Sequence, residues 1–318
     1  MFKSDNFAKV KIALLAMQRY SWEQGVAMQA FLEAGDYDIV IAMAKEAAYR
    51  SVEDGRTAII GGLDAVTDPC AVGEALLYAA KAEDDKELMK AHEALLNWAL
   101  NEAPRNKDGI VYHVSHANEF WVDSMYMLAP YLAAAGYYEE AVKQVYGYWD
   151  KLYNPEKKLL SHMWNDEKEE FIRKDFWGVG NGWTMATLVR LIDLLPEEMN
   201  NERNKLIEMA KELIESVSEY IREDGLAHDV LDNPSTFIEV NLPQMFAYSI
   251  YRGIKSAWLA EGWKEVADKC RKAVETKVDQ YGLVQDVCGA PNFSSAGVAP
   301  EGQAFYILMQ SAANKLDF

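Results

Sequence analysis

The side chain best placed to do chemistry is an acid two residues after a tryptophan. It is Asp123, in the stretch Phe120-Trp-Val-Asp-Ser-Met-Tyr-Met-Leu-Ala-Pro-Tyr131. A carboxyl in apolar company can give and take a proton near neutral pH, and no Lys or Arg lies between Lys107 and Lys143 to neutralise it. The same residue could instead cap the helix that follows. Trp121, Met125, Leu128 and Leu132 recur at helical spacing, predicting a helix over roughly 120–135 with Trp121 on its buried stripe and Asp123 turned away. A second carboxylate is found in the string that runs from Gly61-Gly62 to Cys70. There Asp64 sits in apolar company, whereas Asp68, followed by Pro69, reads as a helix N-cap with proline at the first helical position.

Polar and aromatic groups in the breaks between helices complete the candidate set. His113 and His116 end a turn and a strand-like stretch, and His162 lies in Leu160-Ser-His-Met-Trp164. The H-x-x-H spacing has no third ligand to match, so no metal and no cofactor are expected. Tyr20 and Trp22 either pack beneath a helical hairpin or form the aromatic wall of a sugar site. Phe176-Trp-Gly-Val-Gly-Asn-Gly-Trp183 lacks the Lys-Ser/Thr of a phosphate loop. It reads as a glycine loop that holds Asn181 and Trp183 at a helix N-terminus and leaves backbone open to a ligand, beside Trp177.

These groups must be positioned by helices, because the dominant period is helical from end to end. About a dozen helices are expected, separated by Gly-, Asn- or Pro-marked breaks. Aromatic-Leu helix ends run into Gly35, Gly136 and Gly262, each suited to a left-handed C-cap, with a new helix starting almost at once. They imply antiparallel hairpins, spaced far beyond the roughly 34 residues of a tetratricopeptide array. A closed ring of hairpins would gather the long polar loops on one rim and the site with them. No linker divides the chain, so residues 1–318 are expected to form one catalytic domain.

Composition narrows the partners. A net charge of −18 disfavours nucleic acid and anionic lipid, whose recognition needs a basic face. Nine Trp and seventeen Tyr suit both a bulky core and a sugar cleft. No stretch of about 18 apolar residues is present for a membrane span. The apolar run Ile12–Met17 is short for a leader peptide, and three cysteines without CxxC spacing fit a reducing compartment. The expectation is a soluble cytoplasmic protein, monomer or homodimer.

Four ordered strings carry a resemblance: WVDSMYMLAPYLA from Trp121, FWGVGNGWTMATLVRLIDLLP from Phe176, FIEVNLPQMFAYSIYRGI from Phe237 and APEGQAF from Ala299. Together they resemble the unsaturated rhamnogalacturonyl hydrolases of glycoside hydrolase family 105, which are related to the unsaturated glucuronyl hydrolases of family 88. The likeness spans about Tyr20 to Phe305. It implies an all-α (α/α)6 barrel of six helical hairpins and a small unsaturated oligosaccharide substrate derived from pectin. Such enzymes hydrate the C4=C5 bond that a lyase leaves, rather than attacking the anomeric carbon, and need no metal or cofactor. The catalytic acid/base falls on Asp123 and a second site acid on Asp64. Site tryptophans fall on Trp121, Trp177 and Trp183, and site histidines on His113 and His162. One departure is Val179, where many members carry arginine. It leaves the substrate carboxylate to His113, His162, Asn181 or an arginine such as Arg173.

Overall fold

The computed structural model describes residues 5–60 and 63–316. Gly61 and Gly62, which open the Asp64 string, lie outside the described residues, as does the start of the amino-terminal segment. Among the described residues there are twelve α-helices, and none is long and apolar enough to cross a membrane. The chain forms two compact units.

The amino-terminal unit covers Arg19–Tyr153 and His162–Lys174. It holds α2 (Ser21–Ala34), α3 (Tyr37–Tyr49), α4 (Gly73–Ala82), α5 (Lys86–Asn97), α6 (Ser124–Ala134) and α7 (Tyr138–Leu152). Tight turns pair α2 with α3 and α6 with α7. Gly35 (φ +80°) and Gly136 (φ +91°) supply the left-handed residue, and the next N–H returns to the last helical turn, Asp36 to the Phe31 carbonyl and Tyr137 to that of Leu132. In α6 every residue from Ser124 to Ala133 is buried, whereas α3 and α5 bury one face each. A helix apolar all round belongs inside, and an amphipathic one covers it.

The helix expected over 120–135 begins later than its periodicity suggests. Residues Glu119–Trp121 are a β-strand, paired antiparallel with Met163–Asn165, which pairs in turn with Glu170–Arg173. Trp121 therefore belongs to a ladder and not to the helix stripe, because its backbone is paired opposite Met163.

The carboxy-terminal unit comprises the chain up to Gln18, Asn154–Ser161 and the chain from Asp175 on. It contains α1 (Asp5–Met17), α8 (Gly178–Leu194), α9 (Asn200–Ser218), α10 (Asn241–Lys255), α11 (Lys264–Glu275) and α12 (Pro300–Leu316). Here α8, α10 and α12 are buried along most of their length, while α9 and α11 bury a single stripe each. Three helix pairs result, α8/α9, α10/α11 and α12/α1. With α2/α3, α4/α5 and α6/α7 of the other unit this is an all-α, six-hairpin fold.

Two local expectations are corrected in this unit. The glycine string is not an open loop: Gly178, Gly180 and Gly182 are helical, in the first turns of α8. A Cβ on Gly182 would lie 2.3 Å from Met245 Sδ, so glycine is needed there for α8 and α10 to approach closely. Gly262 is not a left-handed cap either. It lies in the 3-10 turn Glu261–Trp263, and the left-handed residue of that connection is Ala257 (φ +60°).

Candidate active site

Four short pieces of the amino-terminal unit bring the site together. Asp68 opens the 3-10 turn Asp68–Val72, with Pro69 behind it. His113 is held by backbone on both sides: its N–H donates to the Glu119 carbonyl (2.8 Å) and its carbonyl accepts from Val66 N–H (3.0 Å). Trp121 ends its strand, and Asp123 occupies the N-cap position of α6. The Asp123 carbonyl accepts from Tyr126 N–H (3.0 Å), but its side chain makes no cap hydrogen bond. The structure thus distinguishes the two readings of this acid: the backbone is a cap and the carboxylate is not engaged in capping.

One oxygen of Asp68, one of Asp123 and a ring nitrogen of His113 all lie within 4.8 Å of one another. His113 Nδ1 is 3.9 Å from Asp123 Oδ2. Two buried hydroxyls fix the imidazole, Ser124 Oγ at 2.8 Å and Thr67 Oγ1 at 3.2 Å from Nδ1, with Thr67 donating to Ser124 at 3.2 Å. The Trp121 ring stacks on His113, centroids 4.1 Å apart and planes at 22°. Its indole N–H is tied to Glu119 (2.9 Å). His162 stands edge-on to Trp121, at 6.4 Å and 76°, and Arg173 Nη1 lies 3.1 Å from His162 Nδ1.

Electrostatics separate these groups. Burial pushes Asp68 up to about 6; the Asp123 charge adds to the rise and His113 opposes it. Burial pushes His162 well below the ordinary imidazole value, helped by the positive charge of Arg173 and by His113. His162 is therefore a neutral ring at neutral pH, and Asp68 is a carboxyl that gives up its proton late. Two acids and an imidazole so arranged can deliver and recover a proton at one point above an aromatic face. By donor type and spacing, the same trio is where a cation could be held.

Residues 3–315 match the family described as Glycosyl Hydrolase Family 88. The chain is a member of that family. This glycosidase is 26% identical over 290 residues, 84% of its length and 79% of the relative's, to the unsaturated rhamnogalacturonyl hydrolase YesR of Bacillus subtilis (strain 168). It is 25% identical over 203 residues, 56% of its length and 52% of the relative's, to an unsaturated 3S-rhamnoglycuronyl hydrolase of Formosa agariphila. In fold it is similar to a possible family 105 member from Klebsiella pneumoniae subsp. pneumoniae MGH 78578. That likeness has a TM-score of 0.87 at 20% identity and covers 100% of this chain and 95% of the other.

The other expected site residues of the hydrolase fall in several places. Asp64 is not in the trio: its side chain is 70% exposed and faces His116 (3.7 Å) and Ser115 (3.4 Å) on the loop. Asp68, read from the sequence as a cap, takes the buried position: Thr67 is the N-cap residue, and Asp68 follows it as the first residue of the 3-10 turn, which carries it inward. The Asp-Pro pair favours the cap reading, and the signal for the buried role is that Asp68 shares the apolar string with Asp64, four residues earlier. Tyr20 and Trp22 stack on each other at 4.5 Å, with Tyr20 43% exposed. Trp177, Asn181 and Trp183 belong to the carboxy-terminal unit and are buried. The Trp177 indole donates to Asp229 (3.1 Å), and Trp183 packs edge-on against Phe305. Asn181 is a structural tie: its carboxamide accepts from Leu160 N–H (2.9 Å) and donates to the Leu160 and Trp177 carbonyls. Val179 is buried in α8.

Proposed function

We propose that this enzyme releases a Δ4,5-unsaturated galacturonyl group from small pectin-derived oligosaccharides, with residues 1–318 as its catalytic domain and Asp123 as the acid/base. The observation that carries this reading is the clustering of Asp123, Asp68 and His113 within 4.8 Å against the stacked face of Trp121. Displacement at the anomeric carbon sets the two carboxyl groups about 5–5.5 Å apart in retaining glycosidases and about 6.5–9.5 Å apart in inverting ones. A tighter cluster at one point suits proton exchange with a planar double bond. The named activities of the relatives support the same class.

In the proposed course Trp121 supports the flat ring. A carboxyl proton passes to C4, and the C4=C5 pair forms the new C–H bond, leaving the positive charge shared by C5 and the ring oxygen. Water adds to C5 and gives its proton to the carboxylate, which restores the acid. The C5–ring oxygen bond of the hemiketal then opens, and the hemiacetal left at C1 expels the aglycone as an alcohol. Water is the only reagent used.

His113, fixed by Ser124 and Thr67, holds its hydrogen-bonding edge at the Asp pair, and Asp68, whose carboxyl pKa is raised by burial, keeps the pair from carrying two negative charges at mildly acidic pH. The free and buried state of Cys70, Cys270 and Cys288 supports a cytoplasmic setting. The reading is tested by following loss of the conjugated double bond in unsaturated galacturonyl-rhamnose. If the corresponding glucuronyl substrate were consumed instead, the sugar assignment would change and the reaction class would stand.

A further inference from the structure

We infer that Arg173, held in place by His162, is the group that receives the substrate's ring carboxylate and so makes the enzyme selective for uronates over neutral unsaturated sugars. This rests on the reaction class proposed above. An unsaturated uronyl ring carries its carboxylate on C5, beside the bond that reacts, and it must approach two acids in a protein of net charge −18. A cation at that point is needed to offset the repulsion.

The sheet places Arg173 for this task. Trp121 pairs with Met163, and Met163 with Arg173, so the three are in line across the strands. Side chains in line across a sheet share a face, which puts Arg173 on the face that carries the Trp121 ring. A register shift follows at Met163/Trp164, a device that re-aims side chains beside functional sites.

His162 supplies the link. Its backbone carbonyl accepts from Val122 N–H (3.0 Å), one residue before Asp123, its ring stands edge-on to Trp121, and its Nδ1 meets Arg173 Nη1 at 3.1 Å. With the imidazole neutral, Nδ1 accepts from the guanidinium, and the positive charge of the pair resides on Arg173. A planar guanidinium matches a carboxylate with two parallel hydrogen bonds, which a lysine cannot copy. Three other arginines of this unit are held away from this face by partners of their own. Arg56 is buried over Trp98, donating to Asp54 and to the Leu63 and Ala65 carbonyls. Arg105 donates to the Ala99 and Ala103 carbonyls, and Arg50 pairs with Glu46.

The test is calorimetric binding of unsaturated galacturonyl-rhamnose and of its uronate methyl ester to the full chain. An Asp123→Asn background, with and without Arg173→Met or Arg173→Lys, prevents turnover. The parent should bind the acid roughly 30-fold more tightly than the ester, the range expected for a charge-assisted pair. Arg173→Met should bring the two within about threefold by weakening the acid alone, and Arg173→Lys should fall between. A preference that survives Arg173→Met, equal loss for acid and ester, or no binding of either by the parent would overturn the inference. Thermal unfolding of each variant separates loss of folding from loss of recognition. If wild type shows the Arg173-dependent preference but consumes no unsaturated uronide, the proposed reaction falls and the carboxylate site remains.

Discussion

Ser124 Oγ lies 2.8 Å from His113 Nδ1, and Ser124 follows Asp123 directly in the chain. The first residue of α6 thus orients the imidazole that faces the acid at the helix N-cap. Ser124→Ala should leave His113 with Thr67 Oγ1 as its remaining hydroxyl neighbour. The expected effect is a fall in kcat of roughly 10–100-fold with KM changed by less than about threefold, as for loss of a positioning contact. Steady-state kinetics across pH check it; a change in KM alone would assign Ser124 to substrate binding.

Asp68 gives a pH signature in stability. Its folded value of about 6 lies above the ordinary 3.8, so the folded state holds this proton more tightly than the unfolded state. The stabilisation is complete below about pH 4 and is lost as pH rises through about 6. Asp68→Asn removes the buried charge. It should raise stability by on the order of 2 kcal/mol at pH 8 and leave it nearly unchanged at pH 4. Thermal or urea unfolding at the two pH values decides this, and a variant less stable at pH 8 would contradict it.

The trio of Asp68, His113 and Asp123 is spaced so that it could take a cation, yet the proposed hydration draws only on protons and water. Dialysis against a chelator should therefore leave the rate within about twofold of the untreated enzyme. Loss of activity that returns with one divalent ion would replace the acid/base account with a metal-assisted one.

Trp121 stacks on His113 and carries the proposed sugar face, while its indole N–H is tied to Glu119. Trp121→Phe keeps a ring but loses that tie. It should raise KM several-fold, whereas Trp121→Ala should lower kcat/KM by about 100-fold or more, as stacking and imidazole support are both lost.

Much of this was legible in the sequence. Apolar periodicity and its breaks implied about a dozen helices, and twelve are found among the described residues, because each must bury a stripe or its whole surface; the caps at Gly35 and Gly136 marked two of the hairpins. Less legible was whatever depended on partners distant in sequence. Helical spacing claimed Trp121, but pairing with Met163 made it a strand residue. Alternate glycines suggested an open loop, but they are helical in α8, and the close approach of Met245 makes Gly182 a packing position. Asp64 and Asp68 were ranked by their neighbours in sequence, whereas burial beside His113 is set by the 3-10 turn, a tertiary feature with no local code. The tie between Asn181 and the Leu160 backbone, 21 residues away, likewise has no local signal.

The central claim is tested most directly by the ultraviolet absorbance of the conjugated C4=C5 bond over time, in unsaturated galacturonyl-rhamnose with wild type and with Asp123→Asn. The account predicts steady decay with wild type, equimolar release of rhamnose, and a rate at least about 10³-fold lower in the variant. Decay that proceeds unchanged in Asp123→Asn, or rhamnose released while the absorbance persists, would contradict it.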